Sequence, residues 1–177
     1  MSEPRATTEP LTIILRPTRA EDLDAILAIE RHPENAPFIG QWTREQHAAC
    51  IEAADREHWI VSPSVEGPPA GFLIAYDLTA DGFGVWIQRI AVTDKSRGIG
   101  RAELSLYLDD AMTRFGTDTA TLDVMPANAR AQRAYRAAGF DRVTLSDEEF
   151  ARLSALVGGL DDDAVIMQFR DPGTDDG

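Results

Sequence analysis

The sequence is poor in cysteine and has no long apolar run. Among its 177 residues Cys50 is the single cysteine, which rules out an internal disulfide and argues against a thiolate metal site. No stretch approaches the roughly 18 uninterrupted apolar residues of a membrane-spanning helix. The first ten residues, MSEPRATTEP, lack the apolar centre of a signal peptide. We therefore expect a cytoplasmic protein without a membrane partner.

Basic residues and histidines are also scarce. Seventeen lysines and arginines stand against 30 acidic residues, for a formal net charge of −13. Such a surface repels nucleic acid and anionic lipid, so we expect no nucleic-acid partner. His32, His47 and His58 show no metal-ligand spacing, which predicts turn or surface positions and no metal site. An anionic ligand would need a local basic pocket.

The remaining composition is that of an ordinary globular protein. Hydrophobic residues make up 44% of the chain and charged residues 27%, close to average usage. The length suits one domain, which we place at residues 11–170. Residues 1–10 and 171–177 are polar, contain proline or glycine and lack periodicity, and we expect them to be flexible termini.

The pattern of apolar residues predicts an α/β fold. It indicates a strand, two helices, a three-stranded antiparallel meander, and then a helix, a strand, a helix, a strand, a short helix and a last strand. Thr18 with Glu21 and Thr43 with Gln46 have the spacing of capping boxes for the first two helices. This order predicts a mixed, mostly antiparallel central sheet with helices on both faces.

A glycine-rich turn joins the third meander strand to the long helix. The strand VWIQRIAV is followed by TDKSRGIG, and the helix extends from Gly98 to Phe115. Such a turn exposes backbone N–H groups at the positive end of a helix dipole, a site suited to phosphate. Glu103 stands where a dinucleotide fingerprint would have its third glycine, and the Gly-Lys-Ser/Thr of a P-loop is absent. An ordinary turn is the alternative interpretation.

A second pattern lies at LDVMPANARAQRAYRAAGF, residues 122–140. Asn128 is the predicted N-cap of a helix that ends at Gly139. Asn128, Ala131 and Tyr135 share one stripe of that helix. Arg130, Arg133 and Arg136 project from another sector, which is typical of a solvated face.

Together, the two patterns resemble the GNAT superfamily of acetyl-CoA-dependent N-acetyltransferases. The family's loop pattern is Arg/Gln-x-x-Gly-x-Gly/Ala, and the corresponding residues here run from Lys95 to Gly100, with lysine in the first place. The family's later motif is matched at Asn128, Ala131, Tyr135, Gly139 and Phe140. The resemblance extends over residues 11–170, is specific over 83–140, and implies a GNAT-like acyl-CoA transferase fold.

The resemblance implies an acyltransferase that moves an acetyl group from acetyl-CoA, its co-substrate, to a primary amine. The acceptor would be a small molecule or a protein amine, and homodimers are frequent in the family. Tyr135 would be the general acid for the CoA thiolate, and Asn128 and Ala131 would contact the cofactor arm. The backbone of Ile90, Ala91 and Val92 would pair with the pantetheine. The pyrophosphate would be held by the loop residues Lys95, Ser96, Arg97, Gly98, Ile99, Gly100 and Arg101.

The general base does not carry over from the family. Many members have a glutamate six residues before the position of Val92, where this sequence has Trp86. The candidates for the general base are Glu30, Glu34 and a water chain that ends on Asp123. The alternative is that each of them is an ordinary surface carboxylate. The missing glutamate leaves a second hypothesis open, a non-catalytic acyl-CoA-binding sensor or regulatory module.

The acceptor site is the least defined part of the sequence. Phe38 and Trp42 would line an acceptor pocket or anchor a helix. The acidic run Asp161, Asp162 and Asp163 would attract a cationic acceptor or form a solvated turn. Neither choice is decided by the sequence.

Overall fold

The fold is built on one mixed sheet. The computed structural model describes residues 11–174. Of the ends predicted to be flexible, 1–10 and 175–177 lie outside the described residues, whereas Pro172–Thr174 form a 3₁₀ turn. The strands are β1 (Ile14–Pro17), β2 (Arg56–Ser62), β3 (Gly71–Leu78), β4 (Gly84–Val92), β5 (Thr119–Val124), β6 (Phe140–Arg142) and β7 (Val165–Arg170). They lie in the order β1-β2-β3-β4-β5-β7-β6, and among these seven described strands only the β4–β5 pair is parallel. The predicted fold class is confirmed.

Helices cover both faces of the sheet, as predicted. They are α1 (Leu23–Arg31), α2 (Arg44–Glu52), α3 (Ile99–Phe115), α4 (Ala129–Ala137) and α5 (Asp147–Val157). On one face, α3 and α4 pack on the central strands through Leu104, Leu108 and Tyr135. On the other face, α1 and α2 cover β2 and β3, and α5 covers the part of the sheet around Trp86. No helix within residues 11–174 is long and apolar enough to cross a membrane.

The parallel pair β4–β5 is short, and the two strands then separate. They pair at Val85 with Ala120 and at Trp86 with Thr121. Beyond these residues β4 stays paired with β3 as far as Val92, and β5 stays paired with β7. Among residues 11–174, the edge of β4 that faces β5 therefore has no strand partner beyond Trp86, and a cleft opens between the two strands.

Most helix ends follow local sequence signals. Thr43 accepts a hydrogen bond from the backbone N–H of Gln46, and Ser146 accepts one from that of Glu149. The long helix α3 ends at Gly116 in the left-handed conformation. These caps need only residues three or four positions apart, so they are readable in the sequence.

The capping box predicted at Thr18 and Glu21 is wrong. The hydroxyl of Thr18 is hydrogen-bonded to Nδ1 of His58, 2.8 Å away on β2. Asp22 takes the capping role by accepting from the backbone N–H of Arg19, and it also forms a buried ion pair with Arg16. The first turn is accordingly a 3₁₀ turn at Ala20–Asp22.

Two of the three histidines are buried, which corrects the predicted surface positions. His32 is exposed, but His47 and His58 lie inside, between the α1–α2 layer and the sheet. Their rings are hydrogen-bonded to each other, with Nδ1 of His47 3.1 Å from Nε2 of His58. Burial lowers the pKa of His58 to about 3, so this ring is neutral. Both buried histidines form hydrogen bonds with residues distant in sequence, so no local pattern predicts their burial.

Candidate active site

The cleft between β4 and β5 widens into a cavity of about 430 Å³. Its walls are the open edge of β4, the end of β5, the N-terminal turn of α3, the inner face of α4 and two loops, 35–40 and 157–161. Most of the residues predicted for the site line it: Ile90, Ala91, Val92, Lys95, Gly98, Gly100, Arg101, Asn128, Ala131 and Tyr135. The structure thus brings both sequence motifs to one cavity.

The glycine turn places an uncapped helix end at this cavity. Gly98 is the N-cap of α3 with φ of 72°, a left-handed conformation that suits glycine, and it makes no side-chain cap. The first intrahelical bond is donated by Ala102 to the carbonyl of Gly98, so the N–H groups before it have no helical acceptor. With the helix dipole behind them, these donors form a site for phosphate.

Three residues of the predicted loop lie outside the cavity lining. Ile99 is buried against Val61 and Val92, where it anchors the first turn of α3. Ser96 donates both its N–H and its hydroxyl to the Asp94 carboxylate, which lowers the pKa of Asp94. Arg97 is exposed.

Lys95 links the glycine turn to the segment that follows α1. Its Nζ donates to the carbonyl of Glu34 over 2.6 Å. The Glu34 carboxylate in turn pairs with Arg130 of α4 over 3.2 Å. These contacts join three walls of the cavity.

The open edge of β4 presents alternate backbone groups to the cavity. Thr93 donates to the carbonyl of Ala70 on the β3 side, and the Val92 carbonyl, on the opposite side, accepts from Nδ2 of the buried Asn35. Because polar groups alternate along an antiparallel strand, those of Ile90 and Val92 face the cleft and those of Ala91 face β3. The cleft-facing N–H groups of Ile90 and Val92 can bind an amide-bearing chain laid along the strand.

Helix α4 brings Tyr135 to the opposite wall. The Asn128 side chain accepts a hydrogen bond from the N–H of Ala131, as predicted for an N-cap. The small side chain of Ala131 leaves space beside this face of the helix. Burial, with the nearby carboxylates of Asp123 and Glu103, raises the pKa of Tyr135. The phenol therefore remains protonated over the physiological pH range and is available as a proton donor.

Among the three candidate bases, Asp123 is the one that lines the cavity. Its neighbours Leu122 and Val124 pack on the α3 face, so the alternation of β5 directs Asp123 to the α5 face. Burial and the Asp161 carboxylate raise the pKa of Asp123. A carboxyl with a raised pKa is suited to accept a proton near neutral pH.

The other two candidates are placed differently. Glu30 is fully buried, which corrects its alternative role as a surface carboxylate, and is bonded to Trp42, His47 and Arg89. Glu34 is half-exposed and is paired with Arg130. Neither carboxylate lines the cavity.

Sequence reasoning missed Asn35, Gln88 and Arg89, although all three line the cavity. Asn35 is fixed by bonds from its Nδ2 to the carbonyls of Ile29 and Val92, 2.8 and 3.1 Å away. Gln88 is the extra residue of a β-bulge and Arg89 follows it, since the pairing with β3 shifts between Ile74 and Ala75. Asn35 lies between Pro33 and Pro37, a turn-forming composition that could have drawn attention to it, but no local sequence signal predicts the bulge.

The residues predicted for the acceptor pocket do not all lie at the cavity. Phe38 and Asp161 line the cavity, whereas Trp42 packs with α1 and α2 and thus anchors helices. Asp162 and Asp163 are exposed and lie outside the lining.

Comparison with solved structures shows the fold again in acetyltransferases. AAC(6')-Ib in complex with paromomycin and acetyl-CoA superposes with a TM-score of 0.69 at 18% identity, covering 90% of this chain and 93% of that one. The ribosomal-protein-S18-alanine N-acetyltransferase of Escherichia coli gives 0.63 at 22% identity, with 90% and 94% covered. A spermidine N-acetyltransferase SpeG chimera from Vibrio cholerae and hSSAT gives 0.65 at 15% identity, with 90% and 95% covered.

Sequence comparison assigns the family. No curated protein matches the chain at a significant level. The description "Acetyltransferase (GNAT) family" matches residues 23–140, which include both motifs and well over half of the chain. The resemblance seen in the glycine turn and in the Asn128 to Phe140 motif is confirmed, and this chain belongs to the GNAT acetyltransferase family.

Proposed function

We propose that this protein transfers the acetyl group of acetyl-CoA to a primary amine. The observation that carries the proposal is the convergence on one cavity of an unpaired β4 edge, an uncapped α3 N-terminus, the Asp123 carboxyl and the Tyr135 phenol. AAC(6')-Ib, which has the same fold, has been crystallised with acetyl-CoA, and this supports the choice of donor.

The residues present fit acetyl-CoA. The free N–H groups at the start of α3 suit its pyrophosphate, and the basic residues Lys95 and Arg101 line the same region. The outward N–H groups of Ile90 and Val92 suit the amide-bearing pantetheine arm. Lys95 and Arg101 thus form a local basic site that can bind an anion, although the chain as a whole has a net charge of −13.

The catalytic steps assigned to this chain are proton transfers and positioning. Acetyl-CoA supplies the acetyl group as a thioester. Asp123 accepts a proton from the ammonium form of the acceptor, directly or through water, so that the neutral amine can attack. A β4 N–H stabilises the negative charge that develops on the carbonyl oxygen. Tyr135 donates its proton to the departing sulfur.

Release of the CoA thiol in the presence of primary amines tests the proposal. The wild-type chain is incubated with acetyl-CoA and an amine panel, and free thiol is followed. Replacing Tyr135 by phenylalanine should lower kcat by about 10²-fold or more, the usual contribution of a positioned acid, with the acetyl-CoA Kd unchanged. Tyr107→Phe is the matched control, because that buried hydroxyl bonds Glu57 outside the cavity.

The alternative of a non-catalytic sensor has its own outcome. Acetyl-CoA binding without thiol release for any amine would reject the enzyme and favour the sensor. Absence of binding at millimolar acetyl-CoA would reject both.

A further inference from the structure

The β-bulge in β4 directs an arginine to the part of the cavity on the α1, α2 and α5 face of the sheet, which we call the acceptor side. Arg89 is opposite Ile74, whereas Ile87 is opposite Ala75, so Gln88 is an extra residue in β4. Both residues then lie on the face of α1 and α2, where Gln88 accepts from Arg56 over 3.1 Å and Arg89 pairs with Glu30. Bulges commonly re-aim side chains beside active sites.

The Arg89 guanidinium forms its hydrogen bonds to the described residues through Nη1. Nη1 donates to Oε1 of Glu30 over 2.5 Å and to the carbonyl of Gly40, and the group stacks on the Trp42 ring, 4.4 Å from its centroid. Within residues 11–174, Nε is buried without an acceptor, and both hydrogen bonds of the guanidinium come from Nη1. The Nε–Nη2 edge is the two-donor fork that matches a carboxylate.

This arginine is held in place and remains open to the cavity. Its side chain is 10% exposed, and its partner Glu30 is fixed by the backbone N–H of Trp42 over 2.9 Å and by His47. The absence of a side chain at Gly40 lets Nη2 lie close to this loop, since an added Cβ would come within 2.8 Å of that nitrogen. Arg89 and Gly40 both line the cavity.

A second unpartnered donor lies on the same face. The indole Nε1 of Trp86 is buried and has no acceptor among the described residues, and Trp86, 2% exposed, lines the cavity. The carboxyls of Asp123 and Asp161 line another part of the cavity. The acceptor side therefore combines hydrogen-bond donors that lack acceptors with carboxylates suited to an ammonium group.

We propose that the acceptor is a primary amine that also bears a carboxylate, as an amino acid does. Its ammonium group meets Asp123, and its carboxylate meets the free edge of Arg89, assisted by the Trp86 indole. This inference rests on the proposed acetyl transfer. A site with buried donors discriminates strongly against a substrate that leaves them unpaired, so amines without the carboxylate are poor acceptors.

Matched acceptors test this assignment. Free amino acids, including β-alanine and γ-aminobutyrate, are compared with their carboxamides and with the decarboxylated amines, and kcat/KM is measured by thiol release. The best amino acid should exceed its own amide and decarboxylated amine by about tenfold or more. Arg89→Met should remove most of that preference, chiefly by raising KM for the amino acid.

Two controls separate specificity from folding. Arg89→Met leaves Glu30 without its partner, so thermal unfolding and acetyl-CoA affinity are measured in parallel. Trp86→Phe deletes one N–H and leaves the Arg89–Glu30 pair intact, and it should reduce the preference partially. Equal or faster turnover of decarboxylated amines by the wild-type chain would overturn the assignment while leaving acetyl transfer intact. Absence of turnover with every amine would reject both.

Discussion

Glu103 is a buried acid with no partner in the part of the chain that the structure describes. It lies on the inner face of α3, four residues before Tyr107, and is fully buried. Both carboxyl oxygens lack a hydrogen-bond partner among residues 11–174. Burial therefore raises the pKa of Glu103 well above its ordinary value. Ionisation is easier in the unfolded chain than in the folded one.

Replacing Glu103 by leucine should stabilise the protein, increasingly so as the pH rises. The raised pKa means that the wild-type residue contributes its full stability only below the unfolded pKa, near 4.3, and loses it as pH climbs toward the folded pKa. We expect a gain of about 2 kcal/mol near pH 7 and a smaller gain near pH 5, measured by urea unfolding. Asp109→Asn, an exposed acid on the same helix, is the control. A gain that is independent of pH would contradict this account.

The pair Asp123 and Asp161 predicts a pH effect on activity. The Asp161 carboxylate raises the pKa of Asp123, so Asp161→Asn should lower that pKa and move the acid limb of kcat/KM to lower pH. The measurement is a pH profile of both forms with the same acceptor. Asp162→Asn, at an exposed neighbour outside the cavity, should leave the limb in place. An unshifted limb in Asp161→Asn would argue against Asp123 as the base.

At the scale of elements, the short β4–β5 pair depends on Gly84. This residue has φ of 68°, and an added Cβ would lie 1.9 Å from the carbonyl oxygen of Thr119 at the start of β5. The two strands approach closely here and separate after Trp86 and Thr121, and this contrast creates the cleft.

Gly84→Ala should therefore destabilise the fold more than a change at a second left-handed glycine. Gly82 has φ of 83°, but no atom of the described residues lies within 4 Å of an added Cβ, so Gly82→Ala tests the backbone strain alone. We expect a loss of about 1 kcal/mol for Gly82→Ala and about 3 kcal/mol or more for Gly84→Ala. Chemical denaturation of both variants measures the difference. Equal losses would show that strain, and not the contact with Thr119, is the cause.

At the scale of the whole molecule, ligand binding should be visible as stability. A ligand at a hundredfold excess over its Kd that binds only the folded state adds about 2.7 kcal/mol. For a chain of this size, acetyl-CoA should raise the thermal midpoint by about 5–10 °C. At the same molar concentration, pantetheine, which lacks the pyrophosphate, should raise it less, because it does not reach the α3 N-terminus and therefore binds more weakly. Equal shifts would place the main binding energy away from the glycine turn.

Much of the architecture could be read from neighbouring residues. The capping box at Thr43, the glycine stop at Gly116 and the buried stripe of Leu104 and Leu108 each involve residues a few positions apart. Such patterns act through backbone geometry within one or two helical turns, and the sequence alone is enough to predict them. The glycine turn and the Asn128 motif belong to this class, and they led to the family.

Contacts between residues distant in sequence decided the features that the sequence did not predict. Thr18 was predicted to cap a helix, but its hydroxyl bonds His58, 40 positions away. His47 and Glu30 are buried by the packing of α1 and α2 on the sheet, and Arg89 reaches Glu30 across a separation of 59 residues. The sequence around each of these residues gives no indication of the residue with which it pairs.

The sequence by itself determined the order of strands and helices along the chain, most helix ends and the acetyltransferase family, because these follow from periodicity and short motifs. Only the tertiary structure decided that β4 and β5 separate, that Asp123 lines the cavity, and that a β-bulge places Arg89 on the same face of the sheet as Glu30. The physical reason is that strand pairing, burial and the pKa of a carboxyl depend on groups brought together only when the chain packs.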